Sequence, residues 1–454
     1  MRGHDRQTRA SKYSQNMSSS LRPSPAGGIK LKHMSDEVKL LPGLKLREIT
    51  LQVPLDHLNP AAGMIEIFAR VVTGKDGEKR PYLLFLQGGP GHEAARPALY
   101  PSPQPTWLPR ALEDYQVVML DQRGTGRSTP VSADPDFGPL AGLTPSEQAE
   151  YLTHLRADEI VRDAEALRAY LGGKRWTLLG QSFGGFTSVR YLSSHPEGLS
   201  GAILTGGLTA VGHPIEDVYA ETWRIMMDKS ETYYRQFPED RDRVRQIYNL
   251  AREGKIITPN GDKVGADHWR TVGIVLGAQG GGMKLHELLE NDPFSPAFRH
   301  DLAALLPFEG RNPLYAILHE SCYADGVATR WAASRTMPRE VKRDGTLFAG
   351  EHLPRDLFEE SSELRPLREA ADILANYEWT QLYSTERLAS ADVPVAAAAY
   401  YEDAYVPLKF STETAGILKD CRLWVTSEYE HNGLRQDARV LDRLIGLLKG
   451  QILQ

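Results

Sequence analysis

Cysteine is scarce in this sequence: only two occur among 454 residues, Cys322 and Cys421. They lie far apart, and neither belongs to a CxxC pair or to a Cys/His cluster. This usage excludes a disulfide-stapled fold and a zinc site of the usual spacing. We therefore expect a reducing compartment, the cytoplasm.

Long apolar runs and a strong excess of one charge are also absent. No run approaches the ~20 apolar residues of a transmembrane helix, so we expect no membrane partner. The formal net charge of -6 gives no electrostatic reason to expect nucleic acid as a partner. Hydrophobic residues make up 41% and charged residues 25%, which is ordinary for a globular chain. The length favours two or three domains, or one large domain with an insertion.

The first part of the chain has few acidic and few large apolar side chains, whereas Ser, Arg, Lys and Gly are frequent. Such a composition cannot bury enough surface to offset the entropy of ordering, so residues 1–36 are predicted to be a disordered N-terminal extension. An apolar signal-peptide region is missing, although an Arg- and Ser-rich segment is also typical of an organelle transit peptide. The other interpretation is an upstream extension, since Met34 offers a second start.

Strand-like and helix-like segments alternate along the next part of the chain. Alternating polar and apolar residues predict a hairpin of two strands at 46–54 and 64–72. A long helical pattern covers 146–171. Short, almost wholly apolar runs predict buried parallel strands at 82–86, 117–120, 176–179 and 202–204. This βαβ pattern predicts an α/β fold with a mostly parallel, doubly wound sheet.

The pattern changes after the last of these strands. Residues 209–390 read as a series of helices, and strand character resumes at 394–401 and 423–425. A connection of this length within a compact domain is uncommon unless it carries structure of its own. We therefore predict one α/β core, residues 37–208 and 391–454, into which a large helical cap is inserted.

The sequence Gly-Gln-Ser-Phe-Gly-Gly at 180–185 directly follows one of the predicted buried strands. Gly-x-Ser-x-Gly between a strand and a helix is typical of a nucleophile elbow, a tight turn that presents the hydroxyl of Ser182 above the sheet. The free N–H groups at the start of the following helix then face the negative charge that develops during reaction. The alternative interpretation is a glycine-rich turn with a serine cap.

A serine hydroxyl needs a neighbouring base, and the base needs a third group that holds its tautomer. Asp403 follows the penultimate predicted strand and His431 follows the last one, so both lie where open α/β sheets bind ligands. The order Ser, acid, His is that of the α/β hydrolases. We predict Ser182, Asp403 and His431 as catalytic residues, with Glu402 and Glu430 as competing acids. The alternative for His431 is an ordinary surface histidine.

The oxyanion of an attacked carbonyl needs N–H donors that are already in position. Phe183, directly after the serine, provides one backbone N–H group. Gln-Gly-Gly-Pro-Gly at 87–91 follows a predicted strand, and its glycines allow close approach of the backbone to a substrate. We predict Gly89 and Phe183 as the oxyanion hole, although the loop taken alone is only a glycine-proline turn.

Five motifs together resemble the longer branch of the proline iminopeptidases, which are also called prolyl aminopeptidases and are serine peptidases of the α/β-hydrolase superfamily. The motifs are residues 87–91, 121–128, 180–185, 313–321 and 428–435. The resemblance extends from about residue 45 to the C-terminus. The shorter branch has His at the position of Gln87 and Trp at that of Phe183, so its pocket details do not carry over.

The resemblance implies an α/β-hydrolase fold and release of N-terminal proline from short peptides through an acyl-enzyme intermediate, without metal or cofactor. It also implies that carboxylates of the cap bind the free imino group. A secondary ammonium loses hydration on entering a site and needs an anion nearby. Glu320 and Glu351 are the predicted amine-binding residues, and the alternative for each is an ordinary surface glutamate.

A serine esterase or amidase for small acyl substrates is the main alternative function, because it uses the same three catalytic groups and differs only in the cap. A non-catalytic receptor of the same fold is disfavoured, since Ser182, Asp403 and His431 are all present. Epoxide hydrolases and haloalkane dehalogenases need aspartate at the elbow, which Ser182 excludes. The sequence does not predict an oligomeric state.

Overall fold

Nine strands form one sheet in the computed structural model, which describes residues 33–453. In chain order they are β1 (His33–Leu41), β2 (Leu44–Pro54), β3 (Met64–Gly74), β4 (Tyr82–Leu86), β5 (Gln116–Asp121), β6 (Trp176–Gln181), β7 (Leu199–Thr205), β8 (Val395–Tyr400) and β9 (Cys421–Thr426). Their order across the sheet is β1-β2-β3-β5-β4-β6-β7-β8-β9. The first three strands are antiparallel to their neighbours, and β3 also pairs antiparallel with β5. The six strands β4 to β9 all run parallel. The predicted mostly parallel α/β sheet is confirmed.

The helices follow the same alternation. In chain order they are α1 (Leu108–Asp114), α2 (Pro145–Thr153), α3 (Ala157–Tyr170), α4 (Phe183–Ser194), α5 (Ile215–Gln236), α6 (Asp240–Arg252), α7 (Ala266–Arg270), α8 (Gly281–Leu289), α9 (Pro296–Leu305), α10 (Pro313–Leu318), α11 (Ala332–Arg335), α12 (Arg339–Arg343), α13 (Leu357–Glu360), α14 (Arg368–Ala375), α15 (Thr385–Ser390), α16 (Leu408–Ile417), α17 (Gly433–Gln436) and α18 (Ala438–Leu448). Short 3₁₀ turns occur at Pro60–Ala62, Pro196–Gly198, Thr271–Gly277, Glu320–Tyr323 and Arg365–Leu367.

Helices cover both faces of the sheet, which explains the almost wholly apolar strands. Side chains of α1 and α18 pack in one core cluster with alternate strand residues such as Leu83, Phe85, Val117 and Met119. Because neighbouring residues of a strand point to opposite faces, the intervening residues face the other side. There α4 packs on β4 and β6, and α3 packs on α4.

The edge strand β1 was not predicted, and it corrects the boundary of the N-terminal extension. β1 begins at His33 and pairs with β2 along its length, so the last residues of the segment 1–36 are ordered. The carboxylate of Asp36 accepts hydrogen bonds from the guanidinium of Arg47 in β2. The Nε atom of Arg47 donates to both carboxylate oxygens, and Nη2 donates to one of them. Pairing with β2 gives the backbone of β1 its hydrogen-bond partners, and composition alone does not reveal such pairing. Residues 1–32 lie outside the described part of the chain.

The prediction of one long helix at 146–171 is wrong, because the structure has two helices there, α2 and α3. The buried guanidinium of Arg123 donates to the carbonyl oxygen of His154 at 2.7 Å, just where α2 ends. It also binds the carboxylate of Asp163 in α3 at 2.6 Å and 2.7 Å. A continuous helix would use the His154 carbonyl internally, so the break makes this oxygen available to the buried cation.

Helices α5 to α15 all lie in the chain between β7 and β8, where the insertion was predicted. From His33 onward the chain forms one compact unit, in which these helices pack with the rest. The division into a core and a cap over residues 209–390 therefore stays a prediction at this point.

The paired state of the cysteines and the character of the helices can both be read from the structure. Cys322 and Cys421 are both free. Burial raises the pKa of both thiols, that of Cys421 to about 12, so neither is a reactive thiolate at neutral pH. Within residues 33–453, no helix combines the length and apolar character that crossing a bilayer requires.

Candidate active site

The turn between β6 and α4 holds Ser182 at φ 55° and ψ -124°. A positive φ is unfavourable for a residue with a side chain, so this turn is strained. The crowding around it requires glycine: a Cβ on Gly184 would lie 1.9 Å from the carbonyl oxygen of Leu86, and one on Gly180 would lie 2.5 Å from that of Gly184. This is the strained strand-to-helix turn that the motif predicts.

The structure brings Asp403 and His431 together. The Nδ1 atom of His431 lies 2.7 Å from Oδ2 of Asp403, and both side chains are buried. The other oxygen of Asp403 accepts hydrogen bonds from the backbone N–H groups of Tyr405 at 2.9 Å and Val406 at 3.0 Å. Since Nδ1 donates to a fixed carboxylate, Nε2 is the ring nitrogen that remains for a reacting group.

The two competing acids have other partners. Both carboxylate oxygens of Glu430 accept hydrogen bonds from Nζ of Lys229, at 2.7 Å and 2.6 Å. The side chain of Glu402 is 67% exposed and lies 3.8 Å from the same lysine nitrogen. Of the three neighbouring acids, Asp403 is the one that meets the imidazole.

His431 and the serine turn meet at the end of β7. A Cβ on Gly206 would lie 3.1 Å from Nδ1 of His431, and one on Gly207 would lie 2.9 Å from the carbonyl oxygen of Ser182. Ser182 is partly exposed. Within the described chain its hydroxyl group forms no hydrogen bond, and in hydrolases without substrate such bonds often form only in the complex.

The loop at 87–91 lies directly beside the serine. A Cβ on Gly88 would stand 3.1 Å from Cβ and 3.7 Å from Oγ of Ser182. Gly89 has φ 133°, a backbone conformation that residues with a side chain rarely adopt. Phe183 is the first residue of α4, so its N–H group has no acceptor within the helix. The two predicted oxyanion donors thus lie on segments that flank Ser182.

The charges around His431 favour its protonated form. Burial lowers its pKa, but the carboxylate of Asp403 raises it through charge and hydrogen bonding, and Glu351 raises it further. The positive charge of Arg435 opposes them. The net result is a pKa above the ordinary histidine value, because the two carboxylates outweigh burial.

Glu351 lies in a cleft that leads to this pair. The cleft is lined by Val218, Tyr219, Thr222, His319, Tyr323, Glu351, His352, Ala404 and Tyr405. The hydroxyl of Tyr315 donates a hydrogen bond to the carboxylate of Glu351. The ring of Tyr405, another wall of the cleft, lies 4.9 Å from the ring of His431. A partly exposed carboxylate therefore stands close to the imidazole.

Glu320, the other predicted amine-binding residue, is not among the residues that line this cleft. Its carboxylate oxygens accept the backbone N–H groups of Ala332 at 3.1 Å and Ala333 at 2.9 Å, at the start of α11. The residue is buried, and burial raises its pKa. Its position was predicted from the resemblance alone, whereas the direction of the side chain depends on how α11 folds against it.

Glu320→Ala should therefore reduce stability. The change leaves two buried backbone N–H groups without an acceptor, and each such loss costs ~1–3 kcal/mol of unfolding free energy. Denaturant unfolding measures the difference, with the exposed Glu369→Ala of α14 as the control. A Glu320→Ala variant as stable as the control would show that the contact with α11 contributes nothing.

Sequence reasoning missed several residues around the site. Tyr405, two residues after Asp403, closes a turn in which the aspartate accepts its N–H group, a pattern that Asp favours and that could have been found. His319 has both ring nitrogens buried without a partner in the described structure, and it lines the cleft. Tyr315 belongs to the same motif as His319. The contact of both residues with the surroundings of Glu351 depends on how α10 packs, which the sequence does not show.

A possible metal site lies elsewhere. Among the described residues, Glu239, Asp240 and His286 could together offer ligand atoms to an ion. The carboxylate of Asp240 is already bonded by Tyr233, Arg243 and His286, so its oxygens are taken. The cluster shares no residue with the cleft.

The comparisons with known proteins agree with this geometry. The family model of the alpha/beta hydrolase fold matches residues 81–247, from the start of β4 into α6. That segment holds the loop at 87–91 and the turn at Ser182. With the parallel sheet and the acid and histidine after its last two strands, the fold is that of an α/β hydrolase.

Two curated relatives extend over nearly the whole chain. A proline iminopeptidase of Aeromonas sobria is 42% identical over 423 residues, covering 90% of this chain and 97% of the relative. A proline iminopeptidase of Aspergillus aculeatus is 32% identical over 430 residues, covering 89% and 94%. The chain belongs to the proline iminopeptidase family, as its motifs predicted.

Proposed function

We propose that this protein is a serine aminopeptidase that releases N-terminal proline from short peptides. The observation that carries the proposal is the position of Glu351, a partly exposed carboxylate in the cleft beside the His431–Asp403 pair. A hydrolase of neutral acyl groups has no use for a negative charge there, because it attracts no part of the substrate. An enzyme that requires a free, positively charged amine does need it.

In the proposed reaction, Oγ of Ser182 attacks the carbonyl carbon of the prolyl residue, and Nε2 of His431 takes the hydroxyl proton. Asp403 holds Nδ1–H of the imidazole and stabilises the imidazolium. The negative oxygen of the tetrahedral intermediate accepts hydrogen bonds from the backbone N–H groups of Phe183 and Gly89.

The intermediate collapses when His431 gives its proton to the leaving nitrogen, which breaks the peptide bond. The shortened peptide departs with a new amine, and the prolyl group stays bound to Oγ of Ser182 as an ester. Water then attacks this ester while His431 takes one of its protons, and the second collapse frees proline and restores the serine hydroxyl. No redox step, metal or cofactor enters this sequence of proton transfers.

Glu351 supplies the selectivity for a free amine in this proposal. The secondary ammonium of an N-terminal proline loses water as it enters the cleft, and the carboxylate replaces that hydration. The hydroxyl of Tyr315 fixes the carboxylate by donating to it. An acylated proline carries no charge, so it would leave the carboxylate of Glu351 without a cationic partner.

Glu351→Gln should reduce kcat/KM for a chromogenic prolyl amide by the equivalent of roughly 2–5 kcal/mol, the cost of removing one member of a desolvated charge pair. The same change should lower the pH midpoint of the rate profile, because Glu351 raises the pKa of His431. Steady-state kinetics between pH 5 and 9 measure both effects.

Glu320→Gln is the matched control, since it removes the same charge from a carboxylate that is bonded to α11. Its kcat/KM should stay close to that of the unmutated enzyme. A neutral acyl ester should lose little rate in the Glu351 variant. Equal losses for the ester and the prolyl amide, or a larger loss in Glu320→Gln, would contradict the assignment of Glu351.

A serine esterase or amidase for small acyl substrates remains the alternative, and a substrate panel separates the two. The panel consists of proline, alanine and N-acetylproline chromogenic amides and simple acyl esters. The proposed function predicts that the proline amide with a free amine is cleaved fastest. Preference for acyl esters and indifference to N-acetylation would favour the alternative.

We also propose that residues 209–390 act as a cap and that the protein works in a reducing compartment such as the cytoplasm. The cleft supports the first proposal, since Tyr323 and Glu351 come from the inserted segment and Tyr405 from the segment that follows it. Two free cysteines support the second.

A further inference from the structure

Arg435 is an exposed arginine in α17, four residues after His431. Its Nε atom donates to Oε1 of Gln181 at 2.9 Å, and Gln181 is the residue directly before Ser182. Its backbone carbonyl accepts a hydrogen bond from Thr106 at 2.8 Å. The bond to Gln181 therefore anchors the side chain to the last residue of β6, next to the serine.

The outer nitrogens of this guanidinium are free. Across residues 33–453, no carboxylate lies within ion-pair distance of Arg435, and neither Nη1 nor Nη2 has a hydrogen-bond acceptor. Arg439, one turn further along the chain, has the usual arrangement: its Nη2 atom lies 2.6 Å from the carboxylate of Asp437. An arginine held by Nε alone presents a two-pronged donor that fits a carboxylate.

The bond to Gln181 brings this positive charge close to the serine turn. Desolvation lowers the pKa of Arg435 although its side chain remains exposed. Desolvation also lowers the pKa of His92 to about 4, and the charge of Arg435 contributes. The ring of His92 lies 5.4 Å from that of Tyr315, whose hydroxyl binds Glu351.

A negative group, Glu351, is thus bonded to the hydroxyl of Tyr315, and a positive group, Arg435, is bonded to the residue directly before Ser182. If Glu351 binds the amine of proline, the residue beyond the scissile bond extends away from Glu351, and an extended chain advances only ~3.5 Å per residue. In a dipeptide that next residue ends in a carboxylate. A free dipeptide therefore carries two charges opposite in sign to those of Glu351 and Arg435.

We propose that Arg435 binds the α-carboxylate of the residue that follows proline, so that the enzyme prefers free prolyl dipeptides. This inference rests on the proposed function, because it takes the amine end to be held by Glu351. It adds a specificity site on the leaving-group side, whose ligand is a carboxylate. Arg435 takes no part in bond making, and its effect should fall mainly on KM.

The test compares prolyl-alanine with prolyl-alaninamide, which differ in the terminal carboxylate. The unmutated enzyme should show a KM at least ~10-fold lower for the free acid, since one charge-assisted pair is worth a factor of that order. Arg435→Gln should reduce this KM ratio to near one. Arg435→Lys, which keeps the charge but loses the fork, should retain part of it.

Two features of the design separate the possible outcomes. Any disturbance of Gln181 and Ser182 by the substitution affects both substrates and cancels in the ratio, and Arg439→Gln should keep the ratio of the unmutated enzyme. A ratio near one in the unmutated enzyme, or one unchanged in Arg435→Gln, would overturn the inference while cleavage of prolyl-alaninamide still supported the proposed function. If neither substrate is cleaved, the proposed function fails and this inference falls with it.

Discussion

Ser182→Ala should lower kcat for a chromogenic prolyl amide by ~10³- to 10⁶-fold, the range found when a serine hydrolase loses its nucleophile. The hydroxyl forms no hydrogen bond in the described structure, so its removal costs little packing. Alanine also keeps the Cβ atom and therefore the same backbone strain at φ 55°. The variant should unfold at the same denaturant concentration as the unmutated protein.

Ser194→Ala is the matched control for this experiment. Ser194 ends the same helix, α4, and its hydroxyl bonds to the carbonyl oxygen of Arg190 at 2.8 Å. Its removal should leave kcat within about twofold, because Ser194 is away from the turn and the cleft. A folded Ser182→Ala protein with the kcat of the Ser194→Ala control would rule out Ser182 as the nucleophile.

Asp403→Asn should lower kcat by ~10⁴-fold, the cost of holding a catalytic histidine in the wrong tautomer. One oxygen of Asp403 accepts the N–H groups of Tyr405 and Val406, so the amide oxygen of an asparagine must take that place. Its NH₂ group then faces Nδ1 of His431 and donates to it. The imidazole must carry its proton on Nε2, where it cannot accept one from Ser182.

Glu402→Gln is the control for this change, since Glu402 is adjacent in the chain but exposed. Its rate should be nearly that of the unmutated enzyme. If Glu402→Gln were the more damaging substitution, the acid would be the neighbouring residue, and the contact between Asp403 and His431 would have no catalytic meaning.

The charges around His431 also predict how kcat/KM depends on pH. The base must be neutral to accept a proton, so kcat/KM should rise with pH through the pKa of His431. Because Asp403 and Glu351 hold this pKa above the ordinary histidine value, the midpoint in the unmutated enzyme should lie above ~6.5. In Asp403→Asn the carboxylate is lost while burial remains, so the midpoint should move to lower pH. An unchanged midpoint would contradict this origin of the raised pKa.

The sheet was largely predictable because its strands are buried on both faces. Runs such as 82–86 and 176–179 are almost wholly apolar, and burial on two sides is the physical reason. The strand β1 escaped detection because it lies at the edge, with exposed residues such as Val38 and Leu40. An edge strand is ordered by pairing with its neighbour, and pairing leaves little trace in composition.

The acid and the histidine could be predicted because chemistry and topology restrict them to the ends of two strands. The proposed amine-binding carboxylate could not, since the sequence places Glu320 and Glu351 in the inserted segment but does not show where each side chain points. Two backbone N–H groups at the start of α11 bind Glu320, whereas Tyr315 directs Glu351 towards the cleft. Such directions arise from packing among short helices, whose ends have no strong sequence signal.

Product analysis on a short peptide that begins with proline tests the central claim most directly. The unmutated enzyme and Ser182→Ala are incubated with the peptide and with its N-acetylated form, and mass spectrometry quantifies free proline and the shortened peptide. We expect equal amounts of both products from the free peptide with the unmutated enzyme, and almost none from the acetylated peptide or from Ser182→Ala. Cleavage of both peptides at similar rates, or at an internal bond without release of proline, would contradict the account.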